Sequence, residues 1–145
     1  MSEASSSPNS TPLLPSVKEW KKIVAPHTKP SQSRATWQVV NSIGSYLALW
    51  VVMYFTLAIS YWLTFAIALL AGAILVRIFI IFHDCGHGSF FKSRRANNIL
   101  GFISGVLTFT PFSHWKWEHS VHHSACGDLD RRGTGDVWTM TVEEY

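Results

Sequence analysis

From Ala35 to Val76 the chain runs for 42 consecutive residues without an Asp, Glu, Lys or Arg. Trp50, Met53, Phe55, Leu57, Leu69, Leu70, Ile74 and Leu75 keep the run compatible with lipid. As one helix it would be about 60 Å long at about 1.5 Å per residue, roughly twice the hydrocarbon thickness of a bilayer. A hairpin of two spans, approximately Val39 to Ile59 and Leu63 to Phe82, is the economical reading. Its turn is expected near Ser60, Tyr61 and Trp62, since Tyr and Trp favour the headgroup level. The expected fold class is therefore all-α and integral to a membrane, with one transmembrane helical hairpin.

Composition agrees: 48% of the residues are hydrophobic and only 14% charged, apolar for a soluble domain of 145 residues. The location of the charge matters more than its net value. Lys18, Lys21, Lys22, Lys29 and Arg34 precede the hairpin and Lys92, Arg94 and Arg95 lie beyond it, so both flanks are expected on the cytoplasmic side. These cations read as topology determinants and exclude a nucleic-acid partner as the leading explanation. Arg77, near the end of the second span, can snorkel to the headgroups. The first 36 residues hold no apolar core longer than Pro12-Leu13-Leu14-Pro15, so the spans are expected to be uncleaved anchors.

The chain then divides into a basic tail over 1–36, the hairpin over 37–82 and a cytoplasmic region over 83–145. The Ser- and Pro-rich stretch from Met1 to Ser16 reads as disordered. Val17 to Val24 reads as a short basic amphipathic helix suited to an anionic membrane surface, broken from the first span by Pro26 and Pro30. Ile99 to Phe112 is apolar but, at 14 residues, short for a crossing. A crossing there would leave the segments before and after it on opposite faces of the bilayer, so an interfacial or re-entrant segment is expected. Gly127 to Gly135 reads as a surface loop without the oxygen-ligand spacing of a calcium site.

The chemistry lies in two histidine clusters, His83-Asp-Cys-Gly-His87 and His119-Ser-Val-His122-His123. On helices, His83 and His87 share one face, and His119, His122 and His123 share another. Each cluster can aim several imidazoles at one place, which points to a transition metal and more than one ion. A hydrolytic zinc helix would carry HExxH, and soluble di-iron bundles use Glu-x-x-His; this chain has neither. His27 lacks companions and reads as solvated, while His114 sits about 140° around an ideal helix from His119. Cys85 and Cys126 are expected as free thiols, with Cys85 a small buried filler in preference to a ligand. Asp84, Glu118, Asp128 and Asp130 are candidates to accept the second ring N–H of ligating histidines. Phe90, Phe91, Phe109 and Phe112 lie near the clusters, where ordinary packing is the preferred reading for each over lining a tunnel.

His83-Asp-Cys-Gly-His87-Gly-Ser-Phe-Phe91, Thr110-Pro-Phe112 and His119-Ser-Val-His-His123 closely resemble the first two histidine boxes of membrane fatty acid desaturases. Gly127-Asp-Leu-Asp-Arg-Arg132 and Gly135-Asp-Val-Trp-Thr-Met-Thr-Val-Glu-Glu-Tyr145 resemble the bacterial branch similar to plant omega-6 and delta-12 enzymes. The resemblance spans roughly Trp20 to Tyr145; related hydroxylases, ketolases and sphingolipid desaturases share the boxes. It implies two iron ions, dioxygen as co-substrate, a fatty acyl substrate from the membrane, and electrons from ferredoxin or a cytochrome b5-type donor. On that analogy His83, His87, His119, His122 and His123 are the iron ligands. The family also carries a third box after a second hairpin. Without it, the chain is expected to be an N-terminal portion, with weak metal retention and no turnover by itself; a truncated metal-binding protein is the non-enzyme alternative.

Overall fold

In the computed structural model, residues 16–131 and 140–145 are described. The expected disordered tail up to residue 15, residues 132–139 with Gly135 and Trp138, and the His27 side chain lie outside the described residues. Five helices succeed one another: α1 Val17–Val24, α2 Gln32–Thr56, α3 Tyr61–Gly86, α4 Arg94–Leu107 and α5 Phe112–Ala125. Short 3-10 turns occupy Ala25–His27 and Leu129–Arg131, and no strand occurs among the described residues.

α1 has the expected boundaries because Ser16 and Glu19 form a reciprocal capping box, with the Ser16 N–H donating to Glu19 Oε2 at 2.7 Å. Both apolar helices are longer than the hydropathy pattern alone suggests. α2 begins seven residues before Val39, and α3 carries on through His83 to Gly86. Their turn occupies Leu57–Ser60, slightly ahead of the expected place, because Ser60 caps α3 and puts Tyr61 inside the helix. At 25 and 26 residues each is long and apolar enough to cross a bilayer. Only 11% and 22% of the most apolar window of each is buried inside the protein, whereas the core helix of a soluble domain would be mostly covered.

The two helices pack antiparallel. Thr56 Oγ1 and Thr64 Oγ1 meet at 3.0 Å beside the turn, Tyr46, Ala71 and Ile78 pack midway, and Ala35 reaches Ile81, Phe82 and Cys85 at the far end. That far end holds the densest core. Phe82, fully buried, contacts the rings of Phe79, Phe112 and Trp115 with centroids 5.4, 5.5 and 4.7 Å away.

α4 then folds back along α3. Asn97, Leu100, Gly101, Ser104 and Gly105 bury the one face whose three- and four-residue spacing aligns them, while Ile99, Phe102, Ile103 and Val106 face outward. The helix starts at Arg94, among the cations beyond the hairpin, because Ser93 Oγ accepts the Ala96 N–H. Asn97 also clamps the preceding loop, accepting the Phe91 N–H and donating to the Phe91 carbonyl at 2.8 Å each. At its other end a Schellman pair closes α4: the Thr110 and Phe109 N–H groups donate to Gly105 and Val106 carbonyls. This places Phe109, a non-glycine residue, at φ 55°.

α5 returns beside α4 toward the histidine end. It comes so close that a Cβ on Gly101 would collide with the Phe112 ring. α4 and α5 thus run out along α3 and back, and both histidine clusters end at the same end of the bundle.

Gly101→Ala is expected to destabilise the fold by about 1–3 kcal/mol through overpacking. Gly44→Ala, where an added Cβ meets nothing within 4 Å, is expected to be neutral or slightly stabilising. Thermal unfolding of the two variants in detergent checks the contrast.

Candidate metal centre

Because α3 stays helical past its apolar stretch, His83 falls in its last turn and His87 caps it, one above the other. α5 lays His119 and His123 against them. The Nε2 atoms of His83 and His87 are 3.3 Å apart, His119 Nε2 lies 3.1 Å from each, and His123 Nε2 lies 3.1 Å from His119. One ligand atom from each of the four falls within 4.8 Å of all the others.

Hydrogen bonding alone cannot satisfy this arrangement. Each neutral imidazole carries one ring proton, and three Nε2 atoms in a closed triangle cannot all find a donor for their lone pairs at once. A cation at the centre resolves the conflict. Metal–nitrogen bonds of about 2.1 Å put neighbouring nitrogens about 3.0 Å apart in an octahedral site and about 3.4 Å apart in a tetrahedral one, bracketing the four short Nε2 contacts. The residues therefore fit a first-row transition ion.

Electrostatics keep the imidazoles ready for it. Burial, followed by the neighbouring His83, His123, His87 and His122, lowers the His119 pKa from 6.5 to about 4. His87 is lowered for the same reasons, burial first and then His83 and His123, with Asp84 opposing. Asp84 Oδ1 accepts from His83 Nδ1 at 3.1 Å, which leaves the Nε2 lone pair of that ring facing the cluster.

Two residues that the sequence reading did not single out complete the site. Trp115 stacks on His119 with centroids 4.3 Å apart and planes within 17°, and meets His83 edge-on at 5.7 Å. Its ring is seated over Gly86, where a Cβ would lie 2.8 Å from Trp115 Cζ3. Trp115 lies one turn before His119 on the same face of α5, a signal available in the spacing.

His122 stands outside the four-nitrogen group. Its ring stacks parallel to that of His119 at 5.8 Å, and with Trp115, Glu118 and His119 it lines a neighbouring cleft of about 360 Å³. Glu118 also faces His114, Oε1 to Nε2 at 3.4 Å. Asp128 pairs with Arg131 at 3.4 Å and accepts the Asp130 backbone N–H, so its carboxylate serves the turn after α5. Cys85 is buried in the core and free, and Cys126 is exposed and free. Phe90 and Phe112 are core residues, Phe91 packs against that core, and Phe109 is 89% exposed.

The fatty acid desaturase family model matches residues 60–141, which include both histidine clusters. The chain belongs to the fatty acid desaturase family. It is 47% identical over 128 residues to a fatty acid desaturase of Bacillus subtilis, an alignment covering 88% of this chain and 36% of that protein. It is 36% identical over 76 residues to an sn-1 acyl-lipid omega-3 desaturase (ferredoxin) of Synechocystis, covering 52% and 20%. It is 40% identical over 78 residues to an sn-1 oleoyl-lipid 12-desaturase of Anabaena variabilis, covering 53% and 22%. The chain thus spans roughly a fifth to a third of these curated relatives. No solved structure matches it.

Trp115→Leu, Gly86→Ala and Asp84→Asn are each expected to weaken metal binding by about 10- to 100-fold, the usual cost of removing a group that orients a ligand. Competition titration with a chromophoric chelator measures this. In the metal-free protein, a depressed His119 means that the unfolded chain binds the extra proton first. Stability should therefore fall as pH drops from 6.5 toward 4, with a shallower fall in His119→Gln, as read by denaturant unfolding.

Proposed function

We propose that this chain forms part of an oxygen-dependent desaturase acting on fatty acyl chains at a histidine-ligated di-iron centre. The observation that carries the reading is the meeting of four Nε2 atoms from two helices at the end of a helix pair long enough to cross a bilayer. His83, His87, His119 and His123 hold the first ion, and His122, facing the neighbouring cleft, contributes to a second. Asp84 fixes the His83 ring; Glu118, Asp128 and Asp130 are weaker candidates for the same kind of support. The relatives' greater length supports ligands to the second ion from a region corresponding to the rest of them.

α2 and α3 span the bilayer over the stretch 37–82, and the region 83–145 stands at the cytoplasmic face with the tail. The outward apolar faces of both helices support this, since an apolar solvent is the one in which they cost nothing. Bound iron would supply the dioxygen chemistry that removes two hydrogens from adjacent acyl carbons. The chain's own residues orient the imidazoles, hold them neutral and keep the site beside lipid, where a saturated acyl chain can enter without passing through water. Electrons come from a ferredoxin or a cytochrome b5-type protein; a relative whose name specifies ferredoxin supports the former.

Membranes containing this chain joined to a region corresponding to the rest of its relatives, given reduced ferredoxin, oxygen and a labelled saturated acyl lipid, are expected to form a double bond, and His119→Ala to lower product at least about hundredfold. Equal product from both, by gas chromatography of the acyl chains, would end this reading.

A further inference from the structure

α1 contributes nothing to the core of the bundle, and every described residue over 18–26 is exposed. Its faces are nonetheless sharply divided. At about 100° per residue, Trp20, Ile23 and Val24 fall within one arc of about 100°, and Lys18, Lys21 and Lys22 fall within another of about 100° on the opposite side. Trp20, Ile23 and Val24 are 48%, 54% and 43% exposed, so no described residue covers the apolar arc. Eight residues are also too few for a helix to hold itself together in water, where about 12–15 are needed. The capping box of Ser16 and Glu19 closes only the first turn, so the rest of α1 requires a surface that takes up its apolar face.

Position and charge identify that surface. α2 begins at Gln32, so residues 25–31 let α1 stray at most about 25 Å from a helix long and apolar enough to cross a bilayer. A segment tethered there stays within reach of the headgroups. Lys18, Lys21 and Lys22, with Lys29 and Arg34 beyond them, are all exposed, and none takes part in a described ion pair. The one acid among them, Glu19, is turned to Ser16, accepting from its N–H and its hydroxyl at 2.7 Å each, and the next acid along the chain is Asp84. These cations thus gather beside the bilayer with no acidic neighbour in sequence left to answer them.

We infer that α1 lies flat on an anionic leaflet, with Trp20, Ile23 and Val24 sunk below the phosphates and Lys18, Lys21 and Lys22 pairing with them, so that its seating depends on the charge of the lipid. The lysines select an anionic headgroup, and the Trp20 ring, suited to the interface, sets the depth. The bilayer offers both the phosphates and the apolar layer beneath them within reach of the tether, whereas an acidic protein would have to bring both. The inference rests on α2 crossing the bilayer and is independent of the metal centre.

The test uses the whole chain reconstituted in vesicles of phosphatidylcholine alone, or of phosphatidylcholine and phosphatidylglycerol in equal parts. A fluorescent NBD group is attached at Ile23→Cys in a Cys126→Ser background, Cys85 being buried. Quenching by spin-labelled lipid reports contact with the bilayer, and quenching by aqueous acrylamide reports exposure to water. Lipid quenching is expected in the phosphatidylglycerol vesicles and not in the neutral ones, and is expected to fade in high salt. Changing Lys18, Lys21 and Lys22 together to Gln is expected to lower the ratio of seated to free α1 by about hundredfold, and changing them to Arg to preserve it. Trp20→Ser is expected to weaken seating, and Lys92→Gln, outside α1, to change nothing; circular dichroism checks that the bundle is intact in each variant. Lipid quenching that is absent from both vesicles, equal in both, or indifferent to the glutamine changes overturns the inference. A label shielded from acrylamide yet untouched by the lipid quencher assigns the apolar arc to a protein surface and overturns the membrane partner. Metal uptake is measured on the same vesicles: a chain that loads metal but leaves α1 unseated loses this inference alone, and one that seats α1 but takes up no metal loses the desaturase reading alone.

Discussion

Trp115 rests its ring over Gly86 and its face on His119, and that single contact fixes how closely α5 can approach the end of α3. Two histidine-bearing helices must bring their imidazole nitrogens to about 3 Å of one another to share an ion. A side chain at position 86 would hold them apart, and a smaller residue at 115 would leave His119 free to turn away. Phe82 and Phe112 extend the same packing inward over Gly101, so the aromatic core and the metal site are one construction. Rigidity at the four histidines comes from the core beneath them.

The helix pair matters for a different reason. α3 does not stop where its hydrophobicity stops; it continues for a further turn, and that extra turn presents His83 and His87. A helix anchored along its apolar length gives its last turn little freedom, so the polar end inherits the order of the buried part. α4 and α5 then solve a topological problem. A straight crossing would have separated the clusters, and 14 residues of helix closed by a Schellman turn bring the chain back instead.

Much of this was legible in the residues themselves. An uninterrupted apolar run twice the bilayer thickness, a basic amphipathic octapeptide ended by prolines, and imidazoles at three- and four-residue steps all act locally, through hydropathy, backbone breaks and helical period. They fixed the all-helical class, the hairpin and the candidate ligands. Tertiary structure decided which ligands meet. His122 has the same spacing credentials as His123, yet the packing of α5 against α3 brings only His123 into the four-nitrogen group with His83, His87 and His119. The roles of Trp115, Gly86 and Gly101 were hidden for the same reason. A missing Cβ or a stacked ring acquires meaning only from the neighbour it meets, and those neighbours lie far away along the chain.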